Sequence, residues 1–469
     1  MLKYRALYER YRGLIDRGVY APGEKLPSLR DVAAAEGLGL NTVRTAFDLL
    51  ECDGLVRPLE RGGYYARRSP SSNLSGFVAP DRVRETQGLS AAQKIDLLLA
   101  AGGASAGFAL AEPDPALLPV ARLERLHSSL SGNWISYGDQ RGEEELRRRI
   151  AATYHPYHGH LAAEDIVVTN GATEAIGIAV RAIVGPGDAV AVESPTYYDF
   201  LRQLSAARAR IVEVPVRPGL GMDLDLLEAR LRSRDIKCVI VQPNVQNPTG
   251  IMMPEESKHR LVELASRSGV FLIQDDVYGD LSFSQERPGN LSLYGEYDRI
   301  VYISSFSKNL APGLRIGWMY ALGLNAEFMR AKSLFSLSTN RPAQRVIAAY
   351  LAGGAFRKHL AAMRLALAAQ RDEYLELLSE ALPTGSAIAR PEGGCLLWIA
   401  LPRGLDASRL FAAAAKEGIF CAPGELFSGG SFFRGHLRVN FGYRLTEAKR
   451  AQLVRLCAIA RGLSNSTYV

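Results

Sequence analysis

At 469 residues with 47% hydrophobic side chains, the chain is long enough for two or three separate cores and too apolar to be disordered overall. Its formal charge of +7 is compatible with a polyanionic partner, although an excess this small also occurs in proteins that never meet nucleic acid. The five cysteines, Cys52, Cys238, Cys395, Cys421 and Cys457, are odd in number and lack C-x-x-C spacing, which argues against a disulfide framework or a zinc site and for a reducing compartment. No run approaches the roughly 18 consecutive apolar residues of a membrane span, and Met1-Leu2-Lys3-Tyr4-Arg5 opens no apolar leader, so a soluble, cytoplasmic protein without a membrane partner is expected.

Tyr4, Leu7, Tyr8, Tyr11, Leu14 and Ile15 recur at the three-four spacing of an amphipathic helix, closed by Pro22-Gly23. Ser28 with Asp31 reads as a capping box for a short second helix ending at Gly37. Asn41 is placed to cap a third helix, with Val43, Phe47 and Leu50 inward and Gly54 at its end. The turn Gly37-Leu38-Gly39 between the second and third is that of a helix-turn-helix, whose second helix reads DNA with its N-terminal residues, here Asn41, Thr42 and Arg44. After Leu55-Val56, the run Arg61-Gly62-Gly63-Tyr64-Tyr65 predicts a hairpin with a Gly-Gly tip, a wing. Residues 1–68 carry 12 Lys and Arg against 9 Asp and Glu, a net of +3, so DNA affinity would have to come from placement. On spacing alone a generic three-helix bundle would show the same caps and stripes.

The run Pro22-Gly23-Glu24-Lys25-Leu26-Pro27-Ser28-Leu29-Arg30, followed by Asn41-Thr42-Val43-Arg44 and Gly62-Gly63-Tyr64, resembles the winged helix-turn-helix of the GntR superfamily. The resemblance implies a DNA-binding domain over 1–68, with Arg30, Asn41, Thr42 and Arg44 contacting DNA and Arg61 and Gly62 at the wing. Leu40 departs from the polar or basic residue common there, so no base preference carries over. Residues 69–104 read as linker and leading helix: from about Ala66 to Ser90 the chain is rich in Ser, Pro, Asn and Gly and ends in the mixed-charge Asp81-Arg82-Val83-Arg84-Glu85, a tether.

From Asp165 the chain alternates apolar runs (Ile166-Val168, Val190-Val192, Cys238-Val241, Val270-Ile273, Ile300-Ile303) with helical stretches. That alternation predicts a mainly parallel α/β sheet with ligands at the strand ends. Lys308 follows the last of these strands in Ser304-Ser305-Phe306-Ser307-Lys308, with Arg315 seven residues on. An amine of lowered pKa can bond an aldehyde, while Ser305, Ser307 and Arg315 suit a phosphate. A lysine after serines is, by itself, more often a solvated surface residue. Thr169-Asn170-Gly171-Ala172-Thr173 leads a strand into a helix and offers backbone N–H groups to a phosphate. Asn247-Pro248-Thr249-Gly250 sets an amide on a turn, and Asp275 with Tyr278 sets a carboxylate at a strand end, though each station also reads as an ordinary turn or cap.

Taken in chain order, with Pro195-Thr196-Tyr197 between Thr169–Thr173 and Asn247–Gly250 and with Lys308 and Arg315 last, the stations resemble the fold-type I enzymes of the aspartate aminotransferase superfamily over residues 105–469, a body of large and small subdomains that binds pyridoxal 5'-phosphate. The resemblance implies Lys308 as the catalytic, cofactor-bonded lysine, Asp275 on the pyridine nitrogen, and Asn247 and Tyr278 on the ring oxygen. It puts Tyr197 against the ring, Ala172, Thr173, Ser305, Ser307 and Arg315 on the phosphate, Tyr137 on the phosphate of a neighbouring subunit, and Arg438 on a substrate carboxylate. Gly393-Gly394 fits close backbone approach in the small subdomain. Val245 and Ala172-Thr173 depart from a frequent histidine and a common Ser-Gln pair. His155, His158 and His160 lack a partnering Cys or acid, and no metal is expected. A GntR-like head before this body resembles the MocR type of regulator. The resemblance implies a homodimer on paired operator half-sites that senses an amino acid or amine through an external aldimine; the rival expectation is a working aminotransferase carrying a DNA-binding head.

Overall fold

The computed structural model of the chain describes residues 3–16, 20, 25–59, 63–67, 82–86, 107–132, 135–159, 161–284, 286–321, 323, 325–430 and 432–465. They form two compact units, residues 1–77 with Ser386–Arg390, and residues 78–385 with 391–469.

The first unit contains helices α1 (Lys3–Asp16), α2 (Leu29–Glu36) and α3 (Leu40–Cys52) and the hairpin β1 (Val56–Leu59) and β2 (Gly63–Ala66). The stripe foreseen on α1 is buried through Leu7, Tyr8, Tyr11 and Ile15 against Val32, Val43, Phe47 and Leu50. Ser28 and Asp31 cap α2 reciprocally, and Gly37, at φ +61°, closes it in the left-handed conformation that glycine adopts without strain. Asn41 does not cap α3. The extended Gly39 takes the cap position, so Asn41 lies inside the first turn, where its carbonyl accepts from the Thr45 hydroxyl at 2.9 Å. The hairpin pairs Val56 with Ala66 and Leu59 with Gly63, while Arg61 and Gly62 lie outside the described residues.

The second unit is built on a nine-stranded sheet: β3 (Arg84–Thr86), β4 (Ile166–Thr169), β5 (Ala189–Ser194), β6 (Arg210–Arg217), β7 (Gly221–Met222), β8 (Ile236–Val241), β9 (Phe271–Asp275), β10 (Ile300–Ser305) and β11 (Gly317–Tyr320). Its order is β3-β6-β5-β8-β9-β10-β11-β4, with β7 beside β6. The five central strands from β6 to β10 are parallel, and β11 is the antiparallel strand between β10 and β4. Both faces are covered, which is why these strands read as continuous apolar runs. Val190 and Val192 pack with Ile176, Phe200 and Leu201 on one face, whereas Ala189 and Ala191 pack with Leu227, Leu261 and Ala265 on the other.

The expectation of a tether fails at its charged end. Arg84, Glu85 and Thr86 form β3, antiparallel to β6, with Glu85 paired to Arg210 and Arg230 and the Arg84 guanidinium 3.4 Å from the centre of the Phe432 ring. A charged, non-periodic triplet suits an edge strand because its side chains need cover on neither face. The C-terminal part adds a smaller antiparallel sheet in which the strand His436–Asn440 pairs with Leu396–Ala400 and Ala422–Pro423, flanked by the helices Ala355–Ala381 and Glu447–Asn465. Among the described residues, no helix is long and apolar enough to cross a membrane.

Candidate cofactor and ligand site

The parallel strands deliver their C-terminal ends to one cavity lined by Ala111, Ala172, Thr173, Ile176, Tyr197, Gln242, Asn247, Asp275, Val277, Tyr278, Ser305, Ser307, Lys308 and Arg315. All the residues that the sequence assigns to the ring and phosphate of one subunit's cofactor therefore meet. Two assigned residues are not in this lining. Arg438 lies beside it, linked to Asn247, and Tyr137 is 83% exposed.

At one end, the helix Ala172–Ile183 starts directly after β4, and its first N–H groups open into the cavity end lined by Ala172 and Thr173. Gly171 suits this position because φ +80° with ψ 172° is a backbone conformation that a residue with a Cβ adopts only under strain, and a Cβ there would also displace the Arg315 guanidinium. Arg315 donates to the Ser307 hydroxyl at 3.3 Å, and Ser305 donates to the same oxygen at 2.9 Å. A helix N-terminus, two hydroxyls and a guanidinium form a donor set that fits a phosphate dianion.

At the other end, Asp275 closes β9. Its carboxylate accepts from Val277 N at 3.1 Å and Gln242 Nε2 at 3.1 Å, yet burial pushes its pKa up to about 7. A positive pyridinium facing it would restore the charged form. Gln242 also accepts from Asn247 N at 3.2 Å, so one amide ties the carboxylate of Asp275 to the turn bearing Asn247. Asn247 Oδ1 in turn accepts from Arg438 at 3.2 Å, which sets the orientation of its amide.

Lys308 lies three residues beyond β10. Burial pushes its amine below the usual lysine value, Cys395 opposes this, and the Arg438 guanidinium adds to it; a lowered pKa favours the free, nucleophilic amine. Its Nζ donates to the Ala111 carbonyl at 2.6 Å, the same oxygen that accepts from the Tyr278 hydroxyl at 3.2 Å. Arg438 is 1% exposed, with its guanidinium 4.9 Å from the centre of the Phe427 ring and its Nε without a hydrogen-bond partner.

Sequence reasoning missed Gln242. Its signal was its place directly after β8, whose neighbour in the sheet is the strand that ends in Asp275. It also missed a buried ionic network behind the site. Arg287 pairs at 2.6 Å with both Asp276 and Asp280, Tyr302 donates to Asp276 at 2.7 Å, and Asn309, beside Lys308, donates to Asp280. That network holds the loops carrying Asp275 and Lys308 in fixed relation. Val245 adopts φ +58°, and Gly393 is needed opposite it because a Cβ there would fall 2.6 Å from a Val245 methyl. His158 is a core residue, 3.1 Å from the Tyr320 hydroxyl; His160 lies outside the described residues, and no group of three His, Cys, Asp or Glu suited to a metal occurs among them.

On the exposed surface of the first unit, Arg30 lies at the start of α2 and Asn41 and Arg44 on the first turns of α3, with Thr42 half-buried.

Comparison with known proteins agrees with both units. The family model for class I and II aminotransferases matches residues 107–456, and that for the bacterial regulatory proteins of the gntR family matches residues 3–65. Two Escherichia coli (strain K12) proteins, the uncharacterized HTH-type transcriptional regulators YdcR and YjiR, are 33% and 32% identical, each over 97% of this chain and 98% of its own length. Among solved structures, a multiple substrate aminotransferase from Thermococcus profundus superposes with a TM-score of 0.74 at 27% identity, covering 80% of this chain and 96% of its own. LysN, an alpha-aminoadipate aminotransferase from Thermus thermophilus solved with N-(5'-phosphopyridoxyl)-L-leucine, does so with a TM-score of 0.74 at 26% identity, covering 81% and 98%. The body is thus a fold-type I domain, its cofactor is pyridoxal 5'-phosphate, and the phosphate cradle, Asp275 and Lys308 fit that group. With a GntR winged helix-turn-helix ahead of an aminotransferase body along nearly its whole length, the chain belongs to the MocR type of transcription regulators.

Proposed function

We propose that the protein is a cytoplasmic, homodimeric regulator whose body binds an amino acid or amine on pyridoxal 5'-phosphate and thereby alters the affinity of its heads for an operator. The observation that carries the reading is the convergence of Lys308, Asp275 and Arg438 about one cavity in a chain that also bears a DNA-binding head. The cofactor supplies an aldehyde for an amine and a ring that withdraws electrons from it. Lys308 serves as the exchangeable amine and Asp275 as the partner of the ring nitrogen. Asn247 and Tyr278 flank the ring oxygen, and Tyr197 lies against the ring face. Ala172, Thr173, Ser305, Ser307 and Arg315 hold the phosphate, and Arg438 takes the carboxylate of the ligand in a planar fork.

Homodimerisation is supported by exposed apolar side chains on two segments: Ile135 and Tyr137 are 87% and 83% exposed, Leu334 and Leu337 64% and 65%. Arg341, at the start of the helix that follows the second segment, donates to the Ser136 carbonyl in the first. A second copy covering these side chains would bring Tyr137 to the partner's phosphate site. In the head, Arg30, Asn41, Thr42, Arg44 and the wing residues Arg61 and Gly62 contact the operator. The head is taken as 1–68 and the body as 105–469; within 69–104, the linker expected from the sequence, Arg84–Thr86 joins the body's sheet.

The test is an absorbance spectrum of wild type and Lys308→Ala with pyridoxal 5'-phosphate, followed by titration with a panel of amino acids while operator binding is monitored. A band that needs Lys308 and shifts with a compound that also changes operator affinity is the expected result. A ligand that shifts the band but leaves operator affinity unchanged at fixed salt is no effector, because equal affinity for both DNA-binding states shifts nothing. A second reading, an active aminotransferase, draws support from the intact Lys308, Asp275 and Arg438 and from the aromatic-amino-acid aminotransferase 1 of Thermococcus litoralis, 32% identical over 73% of this chain and 85% of its own. Multiple turnovers between an amino acid and an oxo acid at roughly 1 to 1,000 per second would favour it.

A further inference from the structure

The turn that opens the phosphate cradle is held from behind by a buried ion pair. Glu174, in the first turn of the helix Ala172–Ile183, reaches back to accept from both nitrogens of Asn170, from Nδ2 at 3.1 Å, and also accepts from the Ser336 hydroxyl at 2.7 Å. Arg315, which lines the cavity, donates to the Asn170 carbonyl at 3.4 Å. The Lys332 amine lies 3.8 Å from the Glu174 carboxylate, and the two side chains are 0% and 9% exposed. That amine donates to Ser336 Oγ and to Thr339 Oγ1, each at 3.1 Å. Both hydroxyl hydrogens are committed elsewhere, that of Ser336 to Glu174 and that of Thr339 to the Val168 carbonyl at 3.1 Å, so both oxygens accept from Lys332. With the carboxylate as third neighbour, the amine meets three acceptors, the complement of an ammonium; a neutral amine would turn its lone pair toward one of them.

We propose that Lys332 is a positioning residue of the phosphate site, its ammonium cancelling the charge of Glu174 so that this carboxylate holds the turn without repelling the phosphate. The inference rests on the placement of the phosphate at Ala172, Thr173, Ser305, Ser307 and Arg315. Fixing Asn170 fixes the strand-to-helix turn whose N–H groups open into the cavity. A carboxylate one residue beyond Thr173 would, uncompensated, oppose a dianion at the same helix start. Away from bulk water such a repulsion is felt across several ångström, whereas a carboxylate paired with an ammonium is close to neutral at that range. Two cations thus serve the phosphate in different ways: Arg315 lines its cavity, and Lys332, outside that lining, acts through Glu174.

The test is the ratio of the dissociation constant for pyridoxal to that for pyridoxal 5'-phosphate, measured by absorbance titration of the cofactor-free full-length protein. Lys332→Met is expected to lower this ratio roughly tenfold, the scale of one unit charge acting through protein. Glu174→Gln, which keeps an oxygen for Asn170 and leaves Lys332 charged, is expected to raise it. The double variant, with neither charge, is expected to return it to within about threefold of wild type. A pair that only stabilises the fold weakens both ligands alike and leaves the ratio unchanged in every variant, which overturns the proposal. A loss in Lys332→Met that the double variant fails to restore overturns it as well. Should Lys332→Met not fold, the ratio in Glu174→Gln must still exceed that in the double variant, and equality is the refuting result. Arg315→Ala separates this inference from the placement of the phosphate. An unchanged ratio in Arg315→Ala removes that placement and the inference with it, whereas a lowered ratio there beside an unchanged one in Lys332→Met removes the inference alone.

Discussion

Replacing Gln242 by leucine tests the site most directly, because the change nearly preserves volume and removes two buried hydrogen bonds at once. Gln242 donates to Asp275 Oδ2 at 3.1 Å and accepts from Asn247 N at 3.2 Å. Losing a hydrogen bond to a carboxylate costs about 1.5–3 kcal/mol, and leaving the Asn247 N–H unpaired costs about 1–3 kcal/mol more, part of it in the free protein. The first of these falls on the grip of Asp275 on the ring nitrogen, so pyridoxal 5'-phosphate affinity is expected to drop about 10- to 100-fold. The pH dependence gives a second readout. The Gln242 donor opposes the burial that raises Asp275 to about 7, so without it the carboxyl moves higher still, and the pH at which cofactor affinity is half-maximal moves up. Equilibrium titration followed by absorbance from about pH 6 to 9 measures both, with circular dichroism as the control for folding. An unchanged dissociation constant together with an unchanged pH midpoint would refute the assignment of Gln242 as the residue positioning Asp275.

Asp275→Asn is expected to split stability from function. The carboxyl pKa is raised on folding, so the native state holds a proton that the unfolded state releases, and stability declines as pH rises from about 4 through about 7. The cofactor-free Asn variant should therefore gain in melting temperature over wild type from about pH 4 to about pH 8 while binding the cofactor more weakly; a constant difference would contradict the sign. Gly171→Ala forces a Cβ onto the Arg315 guanidinium at φ +80° and should destabilise by about 1 kcal/mol or more while lowering phosphate-dependent cofactor binding, read by thermal melts with pyridoxal and with pyridoxal 5'-phosphate. In the head, Arg30→Ala should weaken specific and random DNA alike and reduce the salt slope by about 0.9. Arg44→Ala should cost about 1–3 kcal/mol on the operator with little effect on random DNA, measured by anisotropy across salt concentrations.

Much of this architecture was legible in the order of residues because it is local. The apolar runs of β5, β8, β9 and β10 mark strands buried on both faces, Ser28 with Asp31 and Gly37 delimit a helix by their own hydrogen bonds, and the stations at Gly171, Asn247, Asp275 and Lys308 follow from strand ends that a parallel sheet must bring to one edge. The miss at Asn41 is likewise local: the helix begins at Leu40, and the extended Gly39 takes the cap position without a side chain to mark it. Edge pairing of Arg84–Thr86 escaped because an exposed strand needs no apolar pattern. What only the tertiary structure decided are contacts between backbone groups and residues hundreds apart. Ala109 O meets Arg438 across 329 positions, and Asp276, Asp280 and Arg287 form a network beside Lys308. A carbonyl looks the same at every position of a sequence, and a charged side chain reveals its partner only when the sheet has closed around it.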